Sequence, residues 1–230
     1  MGFIPIFLQV EGKRCLVVGG GEVALRKVQP LIDAGASVTV ISPQVTADLA
    51  SLAESGRISL LRRSYRTGDM RGYQLVYAAT DDREVQRRLF EESRTLNILI
   101  NVADAPEFCS FIVPSVIRRG RLQVAISTEG ASPTTARLLR QRMEHWLGDE
   151  IEVLLEVMAA ARAWLKSHEM DADARARKLN ALAASGVDDA LRRRDVAAVE
   201  RIVGQCLGNG VGLADLGLEP KSFRSGSAQL

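Results

Sequence analysis

The sequence predicts an α/β protein: a parallel, Rossmann-like sheet with helices on both faces, followed by a small α+β segment and a helical C-terminal domain. Three observations carry that expectation. Apolar, β-prone runs alternate with helical stretches throughout residues 13–101, which is the pattern of consecutive βαβ units. A glycine-rich turn, Gly19-Gly20-Gly21, joins the first such run to the first helical stretch. From residue 149 onward the strand signal is gone and only helical stretches remain. The expected organisation is residues 1–112 for the sheet domain, 113–149 for a dimerisation segment, 150–207 for a helical domain and 208–230 for a flexible tail.

Each element has a local reason. Residues 13–18 read as the first strand, and 21–34 as a helix ending at Gly35, although Pro30 within it removes a hydrogen bond. Ser37-Val38-Thr39-Val40-Ile41 is a β-branched strand. A helix is expected over 45–55 with its stop at Gly56, then a short strand over 58–61. Leu75-Val76-Tyr77-Ala78-Ala79 is nearly continuous apolar sequence, as in a strand buried on both faces. Residues 82–95 look helical, and Ile98-Leu99-Ile100 gives another buried strand. Residues 108–113 and 121–127 are strand-like, with Gly120 between Arg119 and Arg121. Ser132-Pro133 reads as a helix start, Ser as cap and Pro in the first position. Ala136, Leu139, Met143 and Trp146 then give 133–147 one apolar face. Helices are expected over 150–167, 171–184 and 195–206.

Composition narrows the function. With 47% hydrophobic and 25% charged residues the chain is ordinary globular sequence, and a net charge of +2 argues against general nucleic-acid binding. No apolar run approaches the ~20 residues of a membrane span. The apolar stretch Phe3–Leu8 is too short for a signal peptide and has no basic residue before it, so no leader is expected. Cys15, Cys109 and Cys206 are widely spaced and odd in number, which fits a reducing cytoplasm without disulfides. With only His145 and His168, no preformed metal site is expected.

The glycine turn points to a dinucleotide. Gly19 permits the tight turn and Gly21 the close approach of a pyrophosphate. That group would rest on the N–H groups of Glu22 and Val23 at the positive end of the helix. Ala24 stands where a third small residue is needed for close packing of helix on strand. In such sheets ligands gather at the carboxyl ends of the strands. Three further loops meet that rule: Ser42-Pro43-Gln44, Thr80-Asp81-Asp82, and Asn101-Val102-Ala103-Asp104-Ala105-Pro106. An acidic ribose-binding residue is expected about 20 residues after the glycines. Ser42 and Pro43 stand there instead, leaving a hydroxyl and backbone for the ribose. With no adjacent Arg for a 2′-phosphate, NAD is expected over NADP. Thr80 is expected to meet the cofactor through its backbone, while Asp81 and Asp82 equally suit a helix cap. Asp104 suits proton removal opposite a nicotinamide or guidance of a divalent metal; an Asx-turn before Pro106 is the structural alternative.

Several motifs together resemble one family, the siroheme synthases, in their precorrin-2 dehydrogenase / sirohydrochlorin ferrochelatase portion. They are Pro5-Ile6-Phe7, Val17-Val18-Gly19-Gly20-Gly21-Glu22-Val23-Ala24 with Arg26-Lys27, and Ala79-Thr80-Asp81-Asp82. Then come Asn101-Val102-Ala103-Asp104-Ala105-Pro106, Ser110-Phe111-Ile112-Val113-Pro114-Ser115 and Gly130-Ala131-Ser132-Pro133 with Ala136-Arg137. Order and spacing hold from about residue 3 to 150. The resemblance implies NAD-dependent dehydrogenation of precorrin-2 to sirohydrochlorin, a homodimer and, in some members, insertion of Fe2+. It links Asp104 to both steps. Larger members carry a methyltransferase domain, which 230 residues are not expected to hold. A tetrapyrrole with many carboxylates calls for Arg forks. Arg118, Arg119 and Arg137 are the candidates, beside the alternative that each is part of a solvated basic face. A second reading is a non-catalytic NAD-sensing module.

Overall fold

The computed structural model describes residues 2–168 and 171–219. The chain forms two compact units, one running to Val113 and the other starting at Pro114.

In the first unit the sequence delivers the expected alternation: β1 (Arg14–Val18), α1 (Glu22–Asp33), β2 (Ser37–Ile41), α2 (Ala47–Glu54), β3 (Ser59–Leu61), β4 (Leu75–Ala78), α3 (Arg83–Leu96) and β5 (Leu99–Val102). The strands form one parallel sheet in the order β3-β2-β1-β4-β5. β1 lies at its centre, with Cys15, Leu16 and Val17 fully buried. Alternate residues of β1 feed two cores. Cys15 and Val17 pack with Ala24, Val28 and Leu31 of α1 and Leu49 of α2. Leu16 and Val18 pack with Leu89 of α3 and Ile100 of β5. That two-sided burial is why these strands are apolar throughout rather than alternating. Pro30 lies in the last turn of α1, exposed, and the helix runs on to Asp33 because Val28 and Leu31 are held on the sheet.

The strand expected over 108–113 does not form. Pro106–Phe108 is a short 3-10 turn, and the chain then folds back along β5. The Ser110 N–H donates to the Ile100 carbonyl at 2.9 Å, and Ser110 Oγ accepts from the Ile100 N–H at 2.8 Å. Phe108 packs on Phe90 at 5.1 Å between ring centroids and Phe111 edge-on to Tyr77 at 5.6 Å. The run is apolar because it covers the sheet, not because it is a strand.

The second unit opens with the antiparallel hairpin β6 (Ser115–Arg119) and β7 (Leu122–Ile126), turned at Gly120 with φ +51°. Helix α4 (Pro133–Trp146) starts as the sequence expects, with Ser132 Oγ accepting from the Thr135 N–H. Then follow α5 (Glu150–His168), α6 (Ala172–Ala183), α7 (Val187–Arg192) and α8 (Val196–Leu207). They bury Val157, Ala161 and Leu165 against Leu182, Leu191, Val199 and Val203. α7 was not foreseen, since six residues are too few to show a helical period. Residues 208–219 are irregular but packed, contrary to the expected flexible tail. Leu213 is fully buried and its N–H donates to Glu200 Oε2 at 2.9 Å. Residues 220–230 of that expected tail lie outside the described residues. Among the described residues no helix is long and apolar enough to cross a membrane.

The connection from β3 to β4 is fastened by Arg63, which donates to both oxygens of Asp69 at 2.6 and 2.8 Å. That hydrogen bond holds the Asp69 carboxyl below the ordinary carboxylate range. Its stabilisation is therefore complete above the unfolded value of about 3.9 and is lost as pH falls through the lower folded value. We expect Asp69→Asn to lower the urea midpoint at neutral pH. The gap to wild type should close on acidification below about pH 3.9.

Candidate functional site

The carboxyl ends of β1, β2, β4 and β5 bring the four loops together at one edge of the sheet. The glycine turn is their meeting point. Gly19 has φ +125°, and a Cβ there would lie 2.0 Å from the Ala79 carbonyl oxygen. A Cβ on Gly20 would lie 1.9 Å from the Gln44 carbonyl oxygen and 2.8 Å from Ser42 Oγ. Packing of the β1 turn against its two neighbours thus dictates both glycines. Gly21 differs: it has φ −88°, and a Cβ there would meet nothing within 4 Å. The fold does not require glycine at this position, whereas close approach of a ligand to the backbone does.

Gly21 is also the N-cap of α1, and no side chain caps this end. Thr46, Asp82, Ser132, Asp171 and Asp195 do that service for α2, α3, α4, α6 and α8. The N–H groups of the first turn, those of Glu22 and Val23 among them, are therefore available at the positive end of the helix. Ala24 is fully buried, as the close packing of helix on sheet requires. A pyrophosphate fits these features, and Gly21 through Val23 are the residues that would hold it.

Other expected residues turn out to shape the edge. Ser42 is buried, and its hydroxyl donates to the Gln44 carbonyl at 2.6 Å, so that donor is spent inside its own turn. Pro43 is exposed beside it. Thr80 Oγ1 accepts from the Asp82 N–H, and Asp82 caps α3 through the N–H groups of Glu84 and Val85. Asp82 therefore realises the capping alternative. Asn101 donates through Nδ2 to the Phe111 carbonyl at 3.0 Å, which holds the returning loop.

Two residues at this edge were given no role by the sequence. Gln86, buried on α3, donates through Nε2 to the carbonyls of Thr80 at 2.7 Å and Ala103 at 3.4 Å, tying two loops together. Its signal was a polar side chain on the same helix face as Leu89 and Ser93. Lys27, one turn along α1 from Val23, places Nζ 5.4 Å from the centre of the Tyr77 ring. Burial pushes its pKa down; the charge of Arg26 adds to that, and Cys109 and Asp104 oppose it.

Asp104 is exposed, in the left-handed region with φ 57°. Non-glycine residues rarely adopt this backbone, though Asp tolerates it better than most. Cys109 pins the loop around it: Sγ accepts from the Val102 N–H at 3.2 Å and donates toward the carbonyls of Val102 and Ala105. The Asp104 carboxylate itself has no hydrogen-bond partner among the described residues, so the Asx-turn alternative is not what is observed. No group of three or more metal-ligating side chains gathers among the described residues.

Arg118, Arg119 and Arg137 all belong to the second unit. Arg118 and Arg137 are exposed, on β6 and α4. Arg119 lies 4.0 Å from Asp149, and its Nε is buried without a hydrogen bond.

Comparison with known proteins identifies the unit that carries this edge. Residues 6–115 match a family model described as "Putative NAD(P)-binding", and 119–145 one described as "Sirohaem biosynthesis protein central". The first unit is thus an NAD(P)-binding domain. The chain is 49% identical over 144 residues to the siroheme synthase of Methylobacillus flagellatus, covering 63% of this chain and 31% of that one. It is 40% identical over 175 residues to the siroheme synthase of Pseudomonas putida, covering 76% and 38%. The chain is similar to siroheme synthases and spans about a third of the length of these relatives. Its fold matches the solved structure "SirC, precorrin-2 dehydrogenase" with a TM-score of 0.72 at 22% identity, covering 89% of this chain and 98% of that one.

Gly21 separates folding from binding. Gly21→Asp adds a capping carboxylate in open space, and should leave stability unchanged or raise it by up to about 1 kcal/mol. The same carboxylate occupies the N–H groups and repels a pyrophosphate, so NADH affinity should fall at least about tenfold. Thermal denaturation and NADH fluorescence titration check the two effects.

Proposed function

We propose that this protein is an NAD-dependent precorrin-2 dehydrogenase that forms sirohydrochlorin. The observation that carries the reading is Gly21. It is a glycine the fold does not need, at an uncapped helix end, on the strand edge that also presents Asp104. The similarity to siroheme synthases over the same chain supplies the substrate class.

When bound, a nicotinamide cofactor would supply the hydride acceptor. The chain's own residues do the rest. Glu22 and Val23 would hold the pyrophosphate through their N–H groups. Gly19 and Gly20 bring the loops after β2 and β4 close enough to wall the cofactor. The free carboxylate of Asp104 takes the proton released at the substrate carbon, as a base in contact with water on one side. Lys27, its pKa lowered by burial, lies within electrostatic range of Asp104. Arg118, Arg119 and Arg137 are the candidates for binding the substrate's peripheral carboxylates. Leu138, Leu139 and Trp146 on α4 are 44%, 40% and 74% exposed, and this apolar face supports a homodimer. A cytoplasmic setting fits the three free thiols.

Iron insertion rests on the same carboxylate. Chelation of Fe2+ releases pyrrole protons, and Asp104 is free to accept them. A non-catalytic NAD sensor would have no use for an unpartnered carboxylate held in strained backbone beside the cofactor.

The test is anaerobic addition of precorrin-2 and NAD, followed by the absorbance of the reduced nicotinamide. Asp104→Asn keeps a side chain that tolerates the left-handed backbone and removes the charge. It should slow NADH formation by about 10²–10⁴, and slow metal insertion into sirohydrochlorin as well, while NADH still binds. Unchanged turnover in this variant would remove Asp104 from the chemistry. No NADH formation by wild type would remove the dehydrogenase reading.

A further inference from the structure

Position 42 carries no carboxylate, and the structure sets an arginine beside it that sequence spacing conceals. β3 pairs with β2 in parallel, with Ile41 opposite Leu61. The ladder extends one step further, since the Ser42 N–H donates to the Leu61 carbonyl at 3.2 Å. Arg62 follows the last residue of β3, and the backbone pairing brings it one strand spacing (about 4.8 Å) from Ser42. The chain bends sharply there, because the Arg63 N–H donates back to the same Leu61 carbonyl at 2.9 Å. That bend puts Arg62 at the apex of a tight turn, beyond the end of the sheet.

Arg62 and its neighbour differ in what they are free to do. Arg63 is committed to Asp69 and to the Ser64 carbonyl. Arg62 is exposed and has neither hydrogen bond nor ion pair among the described residues. Nucleotide sites of this architecture tell NAD from NADP at the end of β2. A carboxylate there bonds the ribose 2′-hydroxyl and repels a 2′-phosphate, whereas a nearby Arg accepts the phosphate. Here the repelling group is missing, and Arg62, unengaged among the described residues, follows the end of the neighbouring strand. The buried hydroxyl of Ser42 keeps the turn compact without adding charge.

We infer that the site takes NADP(H) as well as NAD(H), with Arg62 binding the adenosine 2′-phosphate. This rests on the dinucleotide reading of the glycine turn and revises the preference for NAD drawn from the sequence, where no arginine adjoins Ser42. Arg62 makes no contact with the reacting atoms and sets cofactor choice alone.

The experiment is fluorescence titration of the full chain with NADH and NADPH, alongside displacement of NADH by 2′,5′-ADP and by 5′-ADP. Wild type should bind NADPH with affinity within about tenfold of NADH, and 2′,5′-ADP should displace better than 5′-ADP. Arg62→Ala should weaken NADPH and 2′,5′-ADP by about ten- to a hundredfold, the loss expected for a hydrogen bond between charged groups. NADH binding, which also reports that the variant is folded, should change by less than about threefold, as for a surface residue outside its contacts. Arg62→Lys should recover part of the NADPH affinity. NADH binding without NADPH binding in wild type, or equal losses of both in Arg62→Ala, would overturn the inference and leave the dinucleotide site standing. Failure of wild type to bind either nucleotide would overturn both.

Discussion

The candidate site depends on one steric fact: the turn after β1 is wedged against backbone on both sides. The carbonyls of Ala79 and Gln44 occupy the space where side chains of Gly19 and Gly20 would begin. Three consecutive carboxyl-end turns can therefore sit within van der Waals contact. Backbone bonds lock them: Gly19 N–H to the Ile41 carbonyl at 3.0 Å, Thr46 N–H to the Gly20 carbonyl at 2.9 Å, and Ala79 N–H to the Val18 carbonyl at 2.7 Å. A tight, low sheet edge follows, with the α1 N-terminus exposed above it. Without that wedge the helix end would be one among several, with no wall for a cofactor to lie against.

From this edge the chemistry divides among strands. In the proposed site β1 and α1 would supply the phosphate cradle, β2 and β3 would face the adenosine ribose, and β4 and β5 would carry the loops nearest the reaction. Gln86 couples the last two by bonding the carbonyls of Thr80 and Ala103 from below, and Cys109 and Ser110 fasten the return of the β5 loop. Asp104 is thus a free carboxylate on a fixed backbone. Such a group can act on a proton without first breaking a protein contact. Its left-handed conformation is held by these neighbours rather than by any bond of its own.

Much of this was legible in the sequence. The βαβ alternation, the glycine turn, the cap at Ser132-Pro133 and the four loops all arise from short-range patterns. What was not legible involved distant partners. Residues 108–113 are apolar for covering β5, which reads the same as a strand until their partners are known. Leu213 is packed by a helix that ends six residues earlier at Leu207, and α7 is too short to show a period. Ser42 looked like a ribose ligand, and its hydroxyl turned out to close its own turn. Arg62 lies 20 residues from Ser42 in sequence and next to it in space, since adjacency between parallel strands leaves no local trace. Lys27 was visible within a motif, but its approach to Tyr77 depends on where α1 crosses the sheet.

The central claim is that the first turn of α1 is the phosphate-binding end of the site. Backbone amide NMR of the full chain during titration with NADH measures that directly. The account predicts that the amides of Gly21, Glu22 and Val23 shift most, with smaller changes at Ser42 and Thr80. Saturable binding that leaves those three amides unmoved, with the shifts confined to the second unit, would contradict it.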